Sequence, residues 1–336
     1  EREREAMRTM RKTILFGVLM LILAWAASAG ATEKKAAEFD YAALDLRVGI
    51  WLDKGPDEVY ERGDRMSVGF QANEDAYAET CAAIALVFFA HRMLQIDVDG
   101  RYADVMERAL YNGVISGVSL DGRRFFYDNL LVVHPERYPY SRQKPTYRQE
   151  WFGCACCPPN LARLLASLGR YAWSTGGKAV YLHLYGAGKT RLQVGDTRVD
   201  LRQETEYPWD GETRLTVSPI HPATFKVALR IPGWCRQFKV QVNGRRVTDP
   251  RVRKGYAWVE RTWKTGDTIE IALEMPVERI EAHPSVREDC GMIALQRGPV
   301  VYCLEECDNG ADLADLSLPD TARLEVKPGR IAGTPA

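Results

Sequence analysis

Apolar residues recur with a helical period in three stretches of the first half of the chain. "AYAETCAAIALVFFAHRMLQI", residues 76–96, is rich in Ala, Leu and Met and predicts a buried helix. "RYADVMERALYNGVI", residues 101–115, carries apolar side chains at helical spacing, and Asn112-Gly113 should end or bend it. "PPNLARLLASLGRYAWS", residues 158–174, predicts a third helix. Pro158 and Pro159 fall in its first turn, where a missing N–H costs nothing. Between the second and third, "GVSLDGRRFFYDNLLVV" reads as a hairpin-like segment turning at Asp121-Gly122. After Gly176-Gly177 the pattern becomes alternating. "KAVYLHLYGAG", "TRLQVG", "TRLTVSP", "FKVALRIPGW", "FKVQVNGRRV", "GYAWVERTW" and "DTIEIALEM" are short runs separated by turn residues, and Asn243-Gly244 is a strong hairpin signal. The pattern predicts an antiparallel β-sandwich or jelly roll behind a helical part. Residues 32–74 are mixed, with no sustained period.

The first 31 residues follow a different logic. Arg8, Arg11 and Lys12 precede the apolar run "ILFGVLMLILAWAA", residues 14–27, and small residues follow in "SAGAT". That order predicts a secretory signal peptide and a secreted or periplasmic protein. The run is short for a membrane span, which needs about 20 apolar residues. An uncleaved anchor is the other reading; once a signal is cleaved, no stable span is expected. "EREREA" ahead of Met7 reads as translated upstream sequence, and the "EVKPGRIAGTPA" terminus reads as truncated. The remaining composition is that of a globular protein: 46% hydrophobic, 27% charged, formal net charge zero. This balance offers nucleic acid no basic patch, so no nucleic-acid partner is expected. The oligomeric state is left open.

Candidate chemistry gathers at the cysteines. Eight in 336 residues are too sparse for a disulfide scaffold, but three stand in "WFGCACCPPN". Cys156 and Cys157 abut the start of the third helix, and Glu79 and Cys81 stand two apart near the start of the first. Three thiolates and a carboxylate are a donor set that Zn²⁺ takes tetrahedrally. Glu79 has an alternative as a carboxylate complementing a helix dipole, and Cys81 as a small core residue. A thiol at a helix start should also have a lowered pKa, which would make it a nucleophile. A redox dithiol fits poorly, because that chemistry favours C-x-x-C beside a βαβ unit.

Together "AYAETCAAIALVFFAHRMLQ", "RYADVMERALYNG", "FFYDN" and "WFGCACCPPNLARLLASLGRY" resemble glycoside hydrolase family 127, the β-L-arabinofuranosidase-like group. The resemblance is close over residues 73–175 and looser through "RIPGWC" and "QRGPVVYCLE". The pairing of E-T-C with C-x-C-C-P-P-N is its most specific element. It implies a partial (α/α)6 barrel over residues 75–175, a β-sandwich over 176–276 and a further β segment over 277–336. It implies a retaining exo-glycosidase that acts on a carbohydrate substrate, releasing terminal L-arabinofuranose or a related sugar from plant-type glycans. Glu79, Cys81, Cys156 and Cys157 match the zinc ligands, Cys156 the nucleophile, and Glu107 and Tyr127 the lining of the sugar site. Cys154 matches a neighbour that binds no metal. On their own, Glu107 reads as a surface partner of Arg108 or Arg101, and Tyr127 as a core aromatic.

The chain departs from the family pattern before the E-T-C motif. About 75 residues precede it, and the sugar-binding histidines of the family's earlier helices have no counterparts, since the first histidine here is His91. Gly63 stands at the general acid/base position, and Glu61 in "YERGD" is the nearest substitute. A zinc-binding relative with little or no catalysis is therefore the alternative function.

Overall fold

The computed structural model describes residues 78–133, 147–154, 156–283, 286, 289–310, 313–327, 330–331 and 334–335. The predicted signal peptide, the 32–74 segment and Glu61 lie outside them.

Helix α1, Thr80–Ile96, buries Thr80, Ile84, Val87, Ala90 and Leu94, spaced by three and four residues so that they form one stripe. Helix α2, Gly100–Ala109, is capped by Asp99, whose carboxylate accepts from the backbone N–H of Arg101 at 3.1 Å. It runs on into a π-helical segment, Leu110–Ile115, around Asn112-Gly113. The expected bend is therefore a widened turn. A Cβ on Gly113 would stand 2.8 Å from the Ala83 Cβ, so only glycine lets this segment pack so closely on α1. Helix α3, Cys157–Ser167, opens with the two prolines as predicted but stops short of the expected Ser174: a tighter turn follows at Leu168–Arg170, and Trp173 and Ser174 already belong to a strand. The 117–133 stretch turns at Asp121-Gly122 but is held by single bridges, Val118 to Phe125 and Phe125 to Gln149, and not by a strand ladder.

The β region is a two-sheet sandwich. One sheet has the order β1 (Trp173–Gly176), β2 (Ala179–Leu182), β6 (Ala223–Arg230), β10 (Tyr256–Trp263), β9 (Val252–Arg253). The other has the order β3 (Gly188–Val194), β4 (Thr197–Thr205), β5 (Glu212–Pro219), β11 (Asp267–Leu273), β7 (Phe238–Val242), β8 (Arg245–Arg246). Alternation fills the space between them: Val180, Leu182, Val227, Leu229 and Trp263 from the first sheet meet Val199, Leu201, Leu215, Val217, Ile269 and Ile271 from the second. The expectation of a wholly antiparallel sandwich needs one correction, because β2 and β6 pair in parallel. The β3–β5 segment crosses to the other sheet between them, which frees β2 and β6 to run the same way. Asn243 and Gly244 both take positive φ, +50° and +73°, as a two-residue β7–β8 hairpin requires. A smaller sheet, β12 (Val277–Glu281), β13 (Ile293–Arg297) and β14 (Val300–Tyr302), follows. Asn112 ties it to the π segment, donating to Pro299 O and accepting from Val301 N. No helix among the described residues is long and apolar enough to cross a membrane.

Contacts from α2 tie the helices to the sandwich. Gly100 at the start of α2 meets Gly255 in the β9–β10 turn, and its N–H donates to Lys254 O at 2.8 Å. Arg230, at the end of β6, reaches across to α2. These contacts hold α2, and α1 packed beside it, against the sandwich.

Candidate metal centre

The segment carrying "FFYDN" is clamped to the start of α1. Thr80 donates through its hydroxyl to Phe126 O at 2.8 Å and through its N–H to Tyr127 O at 3.0 Å. Asp128 accepts from Ala78 N at 2.7 Å, and Asn129 donates to Thr80 Oγ1 at 3.0 Å. Phe125 exchanges backbone hydrogen bonds with Gln149, which draws in the chain that leads to Phe152 and the thiols. Phe152 packs against the rings of Phe125 and Tyr127, with centroids 5.0 and 5.7 Å away. This small apolar cluster backs Cys81, Cys156 and Cys157.

The four residues that spacing singled out converge. The Sγ atoms of Cys81, Cys156 and Cys157 and a Glu79 oxygen all lie within 4.8 Å of one another and can together hold a metal ion. Cys81 Sγ is 3.6 Å from Cys157 Sγ, and Cys156 Sγ is 3.7 Å from Cys157 Sγ. Glu79 Oε1 lies 3.2 Å from Cys156 Sγ and 4.0 Å from Cys157 Sγ. Tyr127 Oη stands 3.7 Å from Cys156 Sγ. Cys154 is exposed and outside the group.

Among the protein's own charges the three thiols divide. The Cys157 hydrogen bond pulls Cys81 down to about 7. Burial, then the Glu79 carboxylate, pushes Cys156 up to about 12. The Cys81 sulfur, then burial, pushes Cys157 up further. The expectation that the helix start alone lowers the Cys156 pKa is thus corrected. Cys156 stands at the N-cap position of α3 without a side-chain capping bond, and desolvation and the Glu79 carboxylate raise its pKa there.

Glu107 does not join the cluster. It is 2% exposed at the seam between α2 and the sandwich. Its Oε1 accepts from Arg230 and from Tyr207 Oη, and its Oε2 accepts from Trp234 Nε1 at 3.1 Å. Sequence reasoning passed over Asn160, whose amide reaches Cys81 Sγ at 3.1 Å. A signal was there: Asn160 follows Cys157 by three residues, on the same face of α3.

Three family models match the chain: "Beta-L-arabinofuranosidase, GH127 catalytic domain" over residues 58–170, "Beta-L-arabinofuranosidase, GH127 middle domain" over 179–275, and "Glycoside hydrolase family 127 C-terminal domain" over 277–328. The first reaches back into the 32–74 segment that the sequence reading set outside the family. The chain is 41% identical over 258 residues to a non-reducing end beta-L-arabinofuranosidase of Bifidobacterium longum subsp. longum, covering 74% of this chain and 38% of that protein. A crystal structure of a GH127 beta-L-arabinofuranosidase from Geobacillus stearothermophilus T6 is 53% identical with a TM-score of 0.73, covering 77% of this chain and 41% of that one. The structure of another GH127 beta-arabinofuranosidase is 40% identical with a TM-score of 0.63, covering 70% and 38%. The chain therefore spans about two fifths of the length of these relatives.

Proposed function

The chain belongs to glycoside hydrolase family 127, and from that membership and the thiol cluster we propose a retaining exo-glycosidase with Cys156 as nucleophile and Zn²⁺ as cofactor. Its substrates are plant-type glycans ending in L-arabinofuranose or a related sugar. The observation that carries the reading is the spacing of the four donors. A tetrahedral ion about 2.3 Å from sulfur and about 2.1 Å from oxygen sets edges of about 3.8 Å between sulfurs and about 3.6 Å between sulfur and oxygen. The cluster has 3.6 and 3.7 Å for the first kind and 3.2 and 4.0 Å for the second. Three thiolates favour Zn²⁺ over hard, oxygen-seeking cations.

When bound, Zn²⁺ would supply the positive charge that keeps the three thiols ionised and limits their basicity. Cys156 Sγ attacks the anomeric carbon. The S–C bond forms as the bond to the aglycone oxygen breaks, and that oxygen takes a proton from a carboxylic acid. Water then displaces the sulfur, giving its proton to the same group, now a carboxylate. Two inversions restore the original configuration. Glu61 is our candidate for the acid, being the nearest glutamate to Gly63. Tyr127 Oη borders the attacking sulfur and lines the sugar site. Glu107, whose oxygens are taken by Arg230, Tyr207 and Trp234, would shape the wall of that site from behind. The helices would belong to an (α/α)6 barrel over residues 75–175, with the sandwich domain over 176–276 and a C-terminal domain over 277–336. The charged-then-apolar N-terminus supports export from the cytoplasm.

A second reading, a zinc-binding relative with little or no turnover, is favoured by one feature, Gly63 at the acid/base position. An aryl β-L-arabinofuranoside, whose leaving group needs little protonation, separates the two. We expect the zinc-loaded full chain to cleave it and Cys156→Ser to fall to the background rate. An arabinofuranose-configured epoxide should label Cys156 and leave Cys154 untouched. Zinc uptake without turnover of even this substrate would put the second reading in place of the first. Folded, reduced protein that takes no zinc would remove both.

A further inference from the structure

Asn160 lies in the first turn of α3, and its amide is held at both ends. Nδ2 donates to Cys81 Sγ at 3.1 Å, and Oδ1 accepts from Arg163 Nη2 at 2.9 Å. A guanidinium only donates, so Arg163 decides which way the amide points: oxygen to the arginine, NH₂ to the sulfur. Arg163 is itself held. Its guanidinium carbon sits 4.7 Å from the centroid of the Phe88 ring, within cation–π range. Phe88 stands two turns beyond Cys81 on α1. An aromatic ring of α1 thus holds the arginine that aims an amide of α3 back at the cysteine of α1.

We propose that Asn160 is a positioning residue that makes Cys81 a weaker nucleophile than Cys156, with Arg163 aiming it. An N–H donated to a thiolate draws charge from the sulfur, weakening it as a nucleophile and as an electron donor. Cys156 meets different neighbours, the Glu79 carboxylate at 3.2 Å and the Tyr127 hydroxyl at 3.7 Å. The carboxylate adds negative charge beside its sulfur. The asymmetry leaves more electron density on the sulfur proposed to attack than on Cys81, whose amide donor is the closer of the two, at 3.1 Å against 3.7 Å for the Tyr127 hydroxyl. This inference rests on the metal reading above.

The test is made on the full chain loaded with Co²⁺, whose sulfur-to-metal charge-transfer absorption reports how electron-rich the thiolates are. Asn160→Leu keeps the side chain's bulk and removes its donor. We expect the band to move to longer wavelength. Arg163→Met, an exposed site, should shift the band in the same direction by less. A wild-type band position in folded Asn160→Leu overturns the inference. Should that variant fail to fold, an unmoved band in Arg163→Met overturns it instead. Wild-type chain that takes up neither metal removes the metal reading itself, a result distinct from metal uptake with no response to Asn160.

Discussion

His183 is enclosed by the first sheet and the helices. Its Nε2 is 2.7 Å from Ser174 Oγ and its Nδ1 is 2.7 Å from Tyr256 Oη, while its carbonyl accepts from Arg230 Nε at 2.5 Å. One ring nitrogen donates and the other accepts, so the neutral ring is satisfied. Burial, then the Arg230 charge, lowers its pKa to about 3. The unfolded chain takes that proton near the ordinary value of about 6.5. Between the two values the unfolded state binds more protons, so this histidine's contribution is full above pH 6.5 and is lost as pH falls towards 3. The loss is about 1.4 kcal/mol per pH unit. Urea unfolding at pH 7, 6 and 5 should show the wild type losing stability faster than His183→Gln, by about 2 kcal/mol at pH 5. Parallel curves for the two proteins would contradict this. The histidine could not be singled out in "KAVYLHLYGAG", where alternation placed it on a strand but not under a helix.

Between elements, the seam of α2 and β6 turns on Arg230. It is fully buried and paired with Glu107 and, at 2.6 Å, with Asp104. Asp104 also accepts from Gly233 N, and Tyr185 Oη donates to the Arg230 carbonyl. Removing one partner of a buried pair leaves an uncompensated charge, at a cost of about 3–5 kcal/mol. Arg230→Met should destabilise the protein by that amount in chemical denaturation. Adding Glu107→Leu should recover part of it, since the more deeply buried of the two stranded carboxylates is then gone. A double variant less stable than the single one would mean that packing, not charge, governs the seam. Helices α1 and α3 were readable because their apolar period is unbroken. The π segment was half readable: Asn112-Gly113 marked a change, but its form depended on how closely Ala83 approaches.

At the scale of the whole molecule, the packing is uneven. The sandwich has a continuous core running from Val180 to Met275. Among the described residues, the thiol cluster is backed by Phe125, Tyr127 and Phe152. A metal joining the starts of α1 and α3 would supply much of what holds them together, and binding free energy of that kind is folding free energy. Hydrogen exchange with and without a strong chelator should show this. We expect faster exchange at residues 79–83, 125–129 and 157–165 on chelation, with β4, β5 and β11 unchanged. Cys81→Ser should mimic the chelator. Uniform protection in both states would mean that the helices hold without metal.

The sequence alone determined what depends on neighbours along the chain. Apolar period set three helices, alternation set the strands, Asn243-Gly244 set a hairpin, and two short motifs brought Glu79, Cys81, Cys156 and Cys157 under suspicion as one donor set. Tertiary structure decided what depends on distance through space. Convergence of those four atoms required the 125–129 and 147–154 segments to lash α1 to α3, through bonds between residues tens of positions apart. The raised pKa of Cys156, against the expectation from a helix start, came from burial and from a carboxylate far away in sequence. Glu107 reads as a surface residue from its neighbours Arg101 and Arg108, yet it faces Arg230 from another domain. Local pattern reports a residue's element and face; which charge ends up beside it depends on how the elements pack, and no periodicity carries that.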